Sequence, residues 1–301
     1  MALLDRTIVR FLPAVPRQVV RRIADRYIAG EELQDAVATV RRLNAEGSST
    51  TIDVLGEEVG RPFEAAEIVQ AYERVLAAIE EHGLDSNVSI KPTAFGLKLG
   101  YRLCRRNVEA LVRAAAERGN FVRIDMEDLS TTDDTLRLYR ELRWAGLDNV
   151  GVVLQARLRR TLDDVAALAD LRPNVRICKG IYLEPWSLAY TDFDEIRASF
   201  VRCLEALVDT ASYVGIATHD EFLIAEGKRI ATERYEFQML LGVRASLGDE
   251  LVRTGERLRI YVPFGRRWYE YSLRRLQENP RIAGYVAADT FGRIVGRNGS
   301  G

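Results

Sequence analysis

The sequence predicts an α/β fold, a (β/α)8 barrel of the TIM type with an N-terminal helical arm. Three observations carry that expectation: eight short β-branched runs, their mean spacing, and segments of helical period between them. In order, the runs are TIDVL from 51, NVSIK from 87, FVRID from 121, NVGVVLQ from 149, VRICKG from 175, VGIATH from 214, YEFQML from 235 and RIYVP from 259. Their starts lie about 30 residues apart, the length of one βα unit, and eight such units suit a closed barrel. An open doubly wound sheet is the second reading of the same pattern.

The segments between runs support helices. RPFEAAEIVQAYERVLAAIEEHG and TLDDVAALADL place Ala, Val, Ile and Leu at three- and four-residue steps, as helices that cover a sheet must. The expected organisation is a helical arm over 1–48, a catalytic barrel over 49–290 and a frayed tail over 291–301.

Composition excludes several classes. The chain has 301 residues, 47% hydrophobic and 29% charged, with a net charge of −1, so disorder, collagen and coiled coil are excluded. No basic excess is present to neutralise a run of phosphates, and no nucleic-acid partner is expected. Cys104, Cys178 and Cys203 are odd in number, widely spaced and without a CxxC pair, which points to a reducing compartment. No run of 18 apolar residues exists, and Asp5, Arg6 and Arg10 interrupt any signal peptide, so a cytoplasmic protein is expected. The stretch over 4–28 mixes apolar positions with arginines. Packing on the barrel is its first reading, and peripheral contact with an anionic membrane surface its second.

A barrel strand is expected to be apolar both inward and toward its helices, so polar residues at strand C-termini lack a packing reason, and that rim is where barrel active sites lie. Seven of the eight runs end this way: Lys91; Asp125 with Glu127 and Asp128; Gln155 with Arg157; Arg176 and Lys179; Thr218 and His219; Gln238; Tyr261. Singly, each reads equally well as a loop charge or a satisfied core group; jointly they mark a site. Lysine occurs only at 91, 98, 179 and 228, yet two of these four stand at strand ends. There an ammonium serves as a point charge for an anion or as an amine for Schiff-base chemistry. With only His82 and His219, no multi-histidine metal site can form, and no metal is expected.

In WYEYSLRRLQEN, Tyr271, Arg274, Arg275 and Glu278 share one helix face at i, i+3, i+4 and i+7. Paired guanidiniums match a carboxylate, while a surface Arg274–Glu278 pair is the bland alternative. GxGxxG, GxSxG and GxxxxGK[ST] are absent, so the Rossmann, serine-hydrolase and P-loop readings lack their main parts.

Taken together, SIKPTAFGL, VRIDMED, VVLQARLRRT, VRICKGIY, IATHD, YEFQMLLGVR and YVPFGRRWYEYSLRRLQEN resemble, in order and over roughly 50–280, the flavin-dependent proline dehydrogenases. That family oxidises L-proline to Δ1-pyrroline-5-carboxylate on a distorted (β/α)8 barrel, using FAD. The resemblance implies that Lys91, Arg274 and Arg275 meet the proline carboxylate, with Tyr261 and Glu278 shaping the pocket. It implies Asp125 as the active-site aspartate, Met126 at the flavin, and Arg176 against the isoalloxazine. Gln155, Lys179, Gly180, Ile181, Thr218, His219 and Gln238 complete the implied FAD site, with Tyr182 near the substrate. Pro92, Cys178 and Ile181 depart from the residues common in the family. Nothing resembles the aldehyde-dehydrogenase half of bifunctional relatives, so the chain resembles the monofunctional form. A quinone or another electron acceptor, and a pyrroline-5-carboxylate dehydrogenase acting downstream, are the partners this implies. Two other readings stand beside it: a Schiff-base lyase or aldolase using Lys91 or Lys179, and a barrel that binds a zwitterion without turnover.

Overall fold

The computed structural model describes residues 20–21, 24–231, 233–269 and 271–272. All eight predicted runs are strands: β1 (Ser49–Val54), β2 (Ser86–Ile90), β3 (Val122–Ile124), β4 (Val150–Gln155), β5 (Asn174–Cys178), β6 (Tyr213–Ala217), β7 (Tyr235–Leu240) and β8 (Leu258–Phe264). Each pairs in parallel with the next, and β8 returns to pair with β1 from Ser49↔Arg259 to Val54↔Phe264. That last pairing closes the barrel and removes the open-sheet alternative.

Helices fill the crossovers, and one precedes β1. They are α1 (Leu33–Ala45), α2 (Pro62–Glu81), α3 (Tyr101–Glu117), α4 (Leu129–Trp144), α5 (Thr161–Leu168), α6 (Phe193–Thr210), α7 (Glu221–Ile230) and α8 (Ala245–Arg253). Their starts follow local rules: Pro62 opens α2, where its missing N–H costs nothing, and Asp192 caps α6 by accepting from the backbone of Asp194 and Glu195. In α1, Ala36, Val37, Val40 and Leu43 form the buried stripe that packs on β1 and β8.

Along each strand, residues alternate. Ile52, Val88, Ile124, Val152, Ile177 and Phe237, all fully buried, belong to the main hydrophobic core that the strands share with the helices. The alternate positions, including Asp53, Ser89, Arg123, Arg176 and Glu236, are buried and polar. Several of these bond across the barrel, as Arg176 does to Asp125 and Arg123 to Asn174. The expectation of strands apolar on both faces is therefore corrected: these strands have a period of two, with an apolar outer face and a polar inner one. Polar groups are admissible inside because they bond to each other, since an unpaired buried donor or acceptor costs about 1–3 kcal/mol.

Two glycines make room for the long inner side chains. Gly151 on β4 stands in register with Arg123, and Gly215 on β6 with Arg176. A Cβ on Gly151 would fall on Arg123 Nη1, the Asn174 carbonyl oxygen and the Phe121 ring.

Residues 20–30, as far as they are described, pack on the barrel. Val20, Ala24, Tyr27 and Ile28 form a second cluster with Leu55, Trp268 and Tyr271, and the Ala29 N–H donates to the Pro263 carbonyl. Residues 1–19 and the tail over 291–301 lie outside the described residues. Among the described residues no helix is long and apolar enough to cross a membrane.

Replacing Gly151 with Ala should lower stability by about 1–3 kcal/mol, because the new methyl meets backbone and a locked guanidinium. Thermal unfolding checks this, and an unchanged melting temperature would show that the inner arginine layer yields.

Candidate active site

At the strand C-termini, Arg176, Tyr261 and Lys91 gather around Asp125, which follows β3. Its Oδ1 accepts from Ser89 Oγ at 2.6 Å and Arg176 Nη1 at 2.7 Å, and its Oδ2 accepts from the Tyr261 hydroxyl at 3.1 Å. Lys91 Nζ donates to the same Tyr261 oxygen at 3.1 Å and to Asp53 Oδ2 at 2.8 Å. Glu57 and Asp125 lie 3.8 and 3.9 Å from the ammonium. Tyr261 also turns its ring toward both cations, with centroid distances of 5.4 Å to Arg176 and 5.8 Å to Lys91.

Burial works to lower the Lys91 pKa, but the carboxylates of Asp53, Glu57 and Asp125 override it and hold the ammonium well above its ordinary value. The Tyr261 phenol is raised well above its ordinary value, first by burial and then by Asp125 and Asp53, so it stays protonated as a donor. These directions weigh against the Schiff-base reading of Lys91, which needs an amine with a lowered pKa. Lys179 is equally engaged. It donates to Asp220 Oδ2, a carboxylate that also accepts from Arg197 Nε and Nη2, both at 2.8 Å.

The other expected residues among those described stand at neighbouring strand ends. Gln155 on β4 donates from Nε2 to the Glu127 carbonyl at 2.7 Å, and Gly180 lies against its amide with φ at +91°, a conformation that favours glycine. Together they join the ends of β3, β4 and β5. Thr218 Oγ1 accepts from the Asp220 N–H, while His219 Nε2 accepts from the Leu240 N–H at 2.9 Å. That ring nitrogen therefore carries no proton, and β6 is tied to β7. Gln238 has both ends of its amide taken: Oε1 accepts from Arg176 Nε at 2.6 Å and Nε2 donates to Glu236 Oε1 at 2.7 Å. Met126 is buried in the main core, and Ile181 and Tyr182 are half-buried, with the Tyr182 carbonyl accepting from Arg157. Arg274, Arg275 and Glu278 lie outside the described residues.

Four groups were missed from the sequence. Asp53 is fully buried and is held by the Tyr72 hydroxyl at 3.0 Å as well as by Lys91. It is the acidic residue inside TIDVL, and an aspartate within a β-branched run was the available signal. Ser89 and Glu236 occupy the same inner row. Glu57 carries no sequence signal, because only the pairing of β1 with β2 brings the loop after β1 near Lys91.

Glu127 accepts from the backbone N–H of Thr93 at 2.9 Å and from its hydroxyl at 2.5 Å, joining the loops after β2 and β3. Burial outweighs these bonds and pushes its carboxyl from 4.5 up to about 7. The folded form thus holds a proton that the unfolded chain releases. The associated stability is fully present below about pH 4.5 and is lost as pH rises through about 7. Glu127→Gln mimics the protonated carboxyl, so above pH 7 the variant should be more stable than wild type, by up to about 3 kcal/mol. Denaturant titrations from pH 4 to 8 check this, and parallel pH curves for the two proteins would refute it.

A closed parallel barrel with buried ion pairs gathered at the C-terminal ends of its strands is the layout of a barrel enzyme. The proline dehydrogenase family profile matches residues 36–288. The chain belongs to the proline dehydrogenase family, and its activity class is that of an oxidoreductase. It is 37% identical over 280 residues to "Proline dehydrogenase" of Deinococcus radiodurans, covering 90% of each chain. It is 35% identical over 288 residues to "Proline dehydrogenase 1" of Bacillus subtilis, covering 94% of each. Among solved structures it is similar to proline utilization A (PutA) of Bdellovibrio bacteriovorus inactivated by N-propargylglycine, with a TM-score of 0.75 and 25% identity. That match covers 86% of this chain and 33% of the other, so this chain spans about a third of that larger protein.

Proposed function

We propose that this proline dehydrogenase uses FAD at the barrel mouth to oxidise L-proline to Δ1-pyrroline-5-carboxylate. The observation that carries the reading is the Asp125–Arg176–Tyr261–Lys91 network: two cations, an acid and a phenol held rigidly around one opening. The donor set fits the cofactor. Arg176, Gln155, Lys179, Thr218 and His219 offer polar and cationic groups at neighbouring strand ends, Gly180 and Ile181 add a turn that approaches closely, and Met126 stands beside Asp125. Beyond them, Leu183 and Trp186, 82% and 75% exposed, give the rim an apolar surface that a flat aromatic group would cover. When bound, FAD supplies an acceptor at N5 for the hydride that leaves proline C5.

The residues of the chain supply binding and charge. Lys91 is already matched by Asp53, so among described residues the mouth holds Lys91 and Arg176 against Asp53, Glu57 and Asp125. The grip on the substrate carboxylate therefore rests mainly on Arg274 and Arg275, with Lys91 completing the clamp, Tyr261 and Glu278 shaping it and Tyr182 close by. Asp125 faces the substrate as the active-site carboxylate. A carboxylate at Asp125 suits a substrate that arrives with a secondary ammonium and must lose a proton before hydride leaves. With FAD bound, Arg176 would supply a positive charge to the ring system that becomes anionic on reduction. A quinone or another acceptor would take up the electrons, and a pyrroline-5-carboxylate dehydrogenase would consume the product. Val20, Ala24, Tyr27 and Ile28 pack on the barrel, which gives no support to peripheral membrane contact by the stretch over 4–28.

Purified protein should be yellow, and its flavin band should bleach on anaerobic addition of L-proline, faster as pH rises and the substrate amine loses its proton. A colourless protein, or lysine trapped by borohydride on a carbonyl substrate, would overturn the reading in favour of a lyase. Arg275→Met should raise KM for proline by about 10- to 100-fold and leave the flavin bound, the loss expected for a charged hydrogen-bonded contact. An unchanged KM would remove Arg275 from the clamp.

A further inference from the structure

Below the mouth, a linear relay of four side chains runs through the barrel: Arg259, Glu236, Gln238, Arg176. Arg259 Nε donates to Glu236 Oε1 at 2.7 Å, Gln238 Nε2 donates to the same oxygen at 2.7 Å, and Gln238 Oε1 accepts from Arg176 Nε at 2.6 Å. Glu236 and Gln238 are each about 95% buried, so neither has water to make good a mismatch. Gly215 lies between Arg176 and Glu236 in the strand register, and a Cβ there would occupy the place of the Gln238 amide. The absence of a side chain at Gly215 is what lets Gln238 reach Arg176.

We infer that Glu236 is a positioning residue for the reaction: by fixing which end of the Gln238 amide faces Arg176, it sets the orientation of that guanidinium toward Asp125 and the mouth. The inference rests on the proposed placement of Arg176 at the flavin.

The reason is donor and acceptor parity. Both ends of the relay are guanidiniums, which only donate. A carboxylate and an amide between them satisfy every contact, since the carboxylate accepts on both sides and the amide donates to it while accepting from the far arginine. Both donors meet one Glu236 oxygen, so an amide oxygen there keeps both contacts, whereas an apolar residue at 236 leaves Arg259 and the Gln238 amide without an acceptor and two carboxylates leave acceptor facing acceptor. An amide at 236 with a carboxylate at 238 also satisfies every contact, so the relay requires matched groups and not a given residue at a given position. In the native order the negative charge lies nearer Arg259, which leaves the Arg176 guanidinium paired with Asp125 at 2.7 Å.

The test uses the holoenzyme in three forms: Glu236→Leu, Gln238→Glu, and the double variant Glu236→Gln with Gln238→Glu. Each single variant should lower kcat by about 10- to 100-fold, the cost of an unpaired or mispaired buried contact to a charged group, while KM for proline stays within about threefold because the clamp is separate. Glu236→Leu should also lower the flavin midpoint potential, since a misaligned Arg176 stabilises the reduced ring less. The double variant should recover at least tenfold in kcat over Gln238→Glu and return the potential toward wild type. A double variant that fails to recover, whether folded or not, overturns the inference. So does a Glu236→Leu enzyme with wild-type kcat and potential and only a lower melting temperature. Wild-type enzyme that is not bleached by proline would instead sink the proposed function itself, so the two failures are distinguishable.

Discussion

A charged side chain inside a narrow barrel has no water to fall back on, so each must meet its complement on another strand, and this requirement governs the protein from its floor to its mouth. Asp53 meets Lys91, Asp125 meets Arg176, and Glu236 meets Arg259. Replacing one partner would leave the other buried and uncompensated, which costs several kcal/mol, whereas the intact pairs contribute little net stability over apolar residues of the same size. Their retention makes sense as geometry. Ionic contacts between different strands hold the functional groups of the mouth in one arrangement, at a depth where loops could not do so.

The same network explains why the lysines are not free nucleophiles. An ammonium with Asp53 at 2.8 Å and two further acids within 4 Å is a fixed positive charge throughout the neutral range. Lys179 is paired with Asp220, which Arg197 also holds. A fixed charge suits orientation of a carboxylate or an anionic ring. It does not suit covalent catalysis, which depends on a neutral amine.

Room for the network comes from residues with no side chain. Gly151 and Gly215 stand in register with Arg123 and Arg176, so each long cation lies beside a gap on the next strand. Filling that gap with even a methyl group would displace an arginine or an amide whose bonds are already complete. Polar packing inside this barrel is thus as exacting in volume as an apolar core, with the added demand that donors and acceptors match.

Much of this was legible in the residues alone. The eight runs and the helical stripes between them declared the barrel, because β-branched residues at strand spacing and apolar residues at helical spacing are local signals that survive any context. The polar residues at strand ends marked the mouth for a similar reason: Lys91, Asp125, Arg176 and Tyr261 stood where packing gave them no role. The two-faced character of the strands was not legible, since Asp53 and Glu236 look like interruptions until closure of β8 on β1 turns their row inward. Nor could spacing say that Lys91 is matched by Asp53, or that Gln238 faces Arg176. Those are contacts between residues 38 and 62 positions apart on a curved wall, and the curvature arises only when all eight strands are in place.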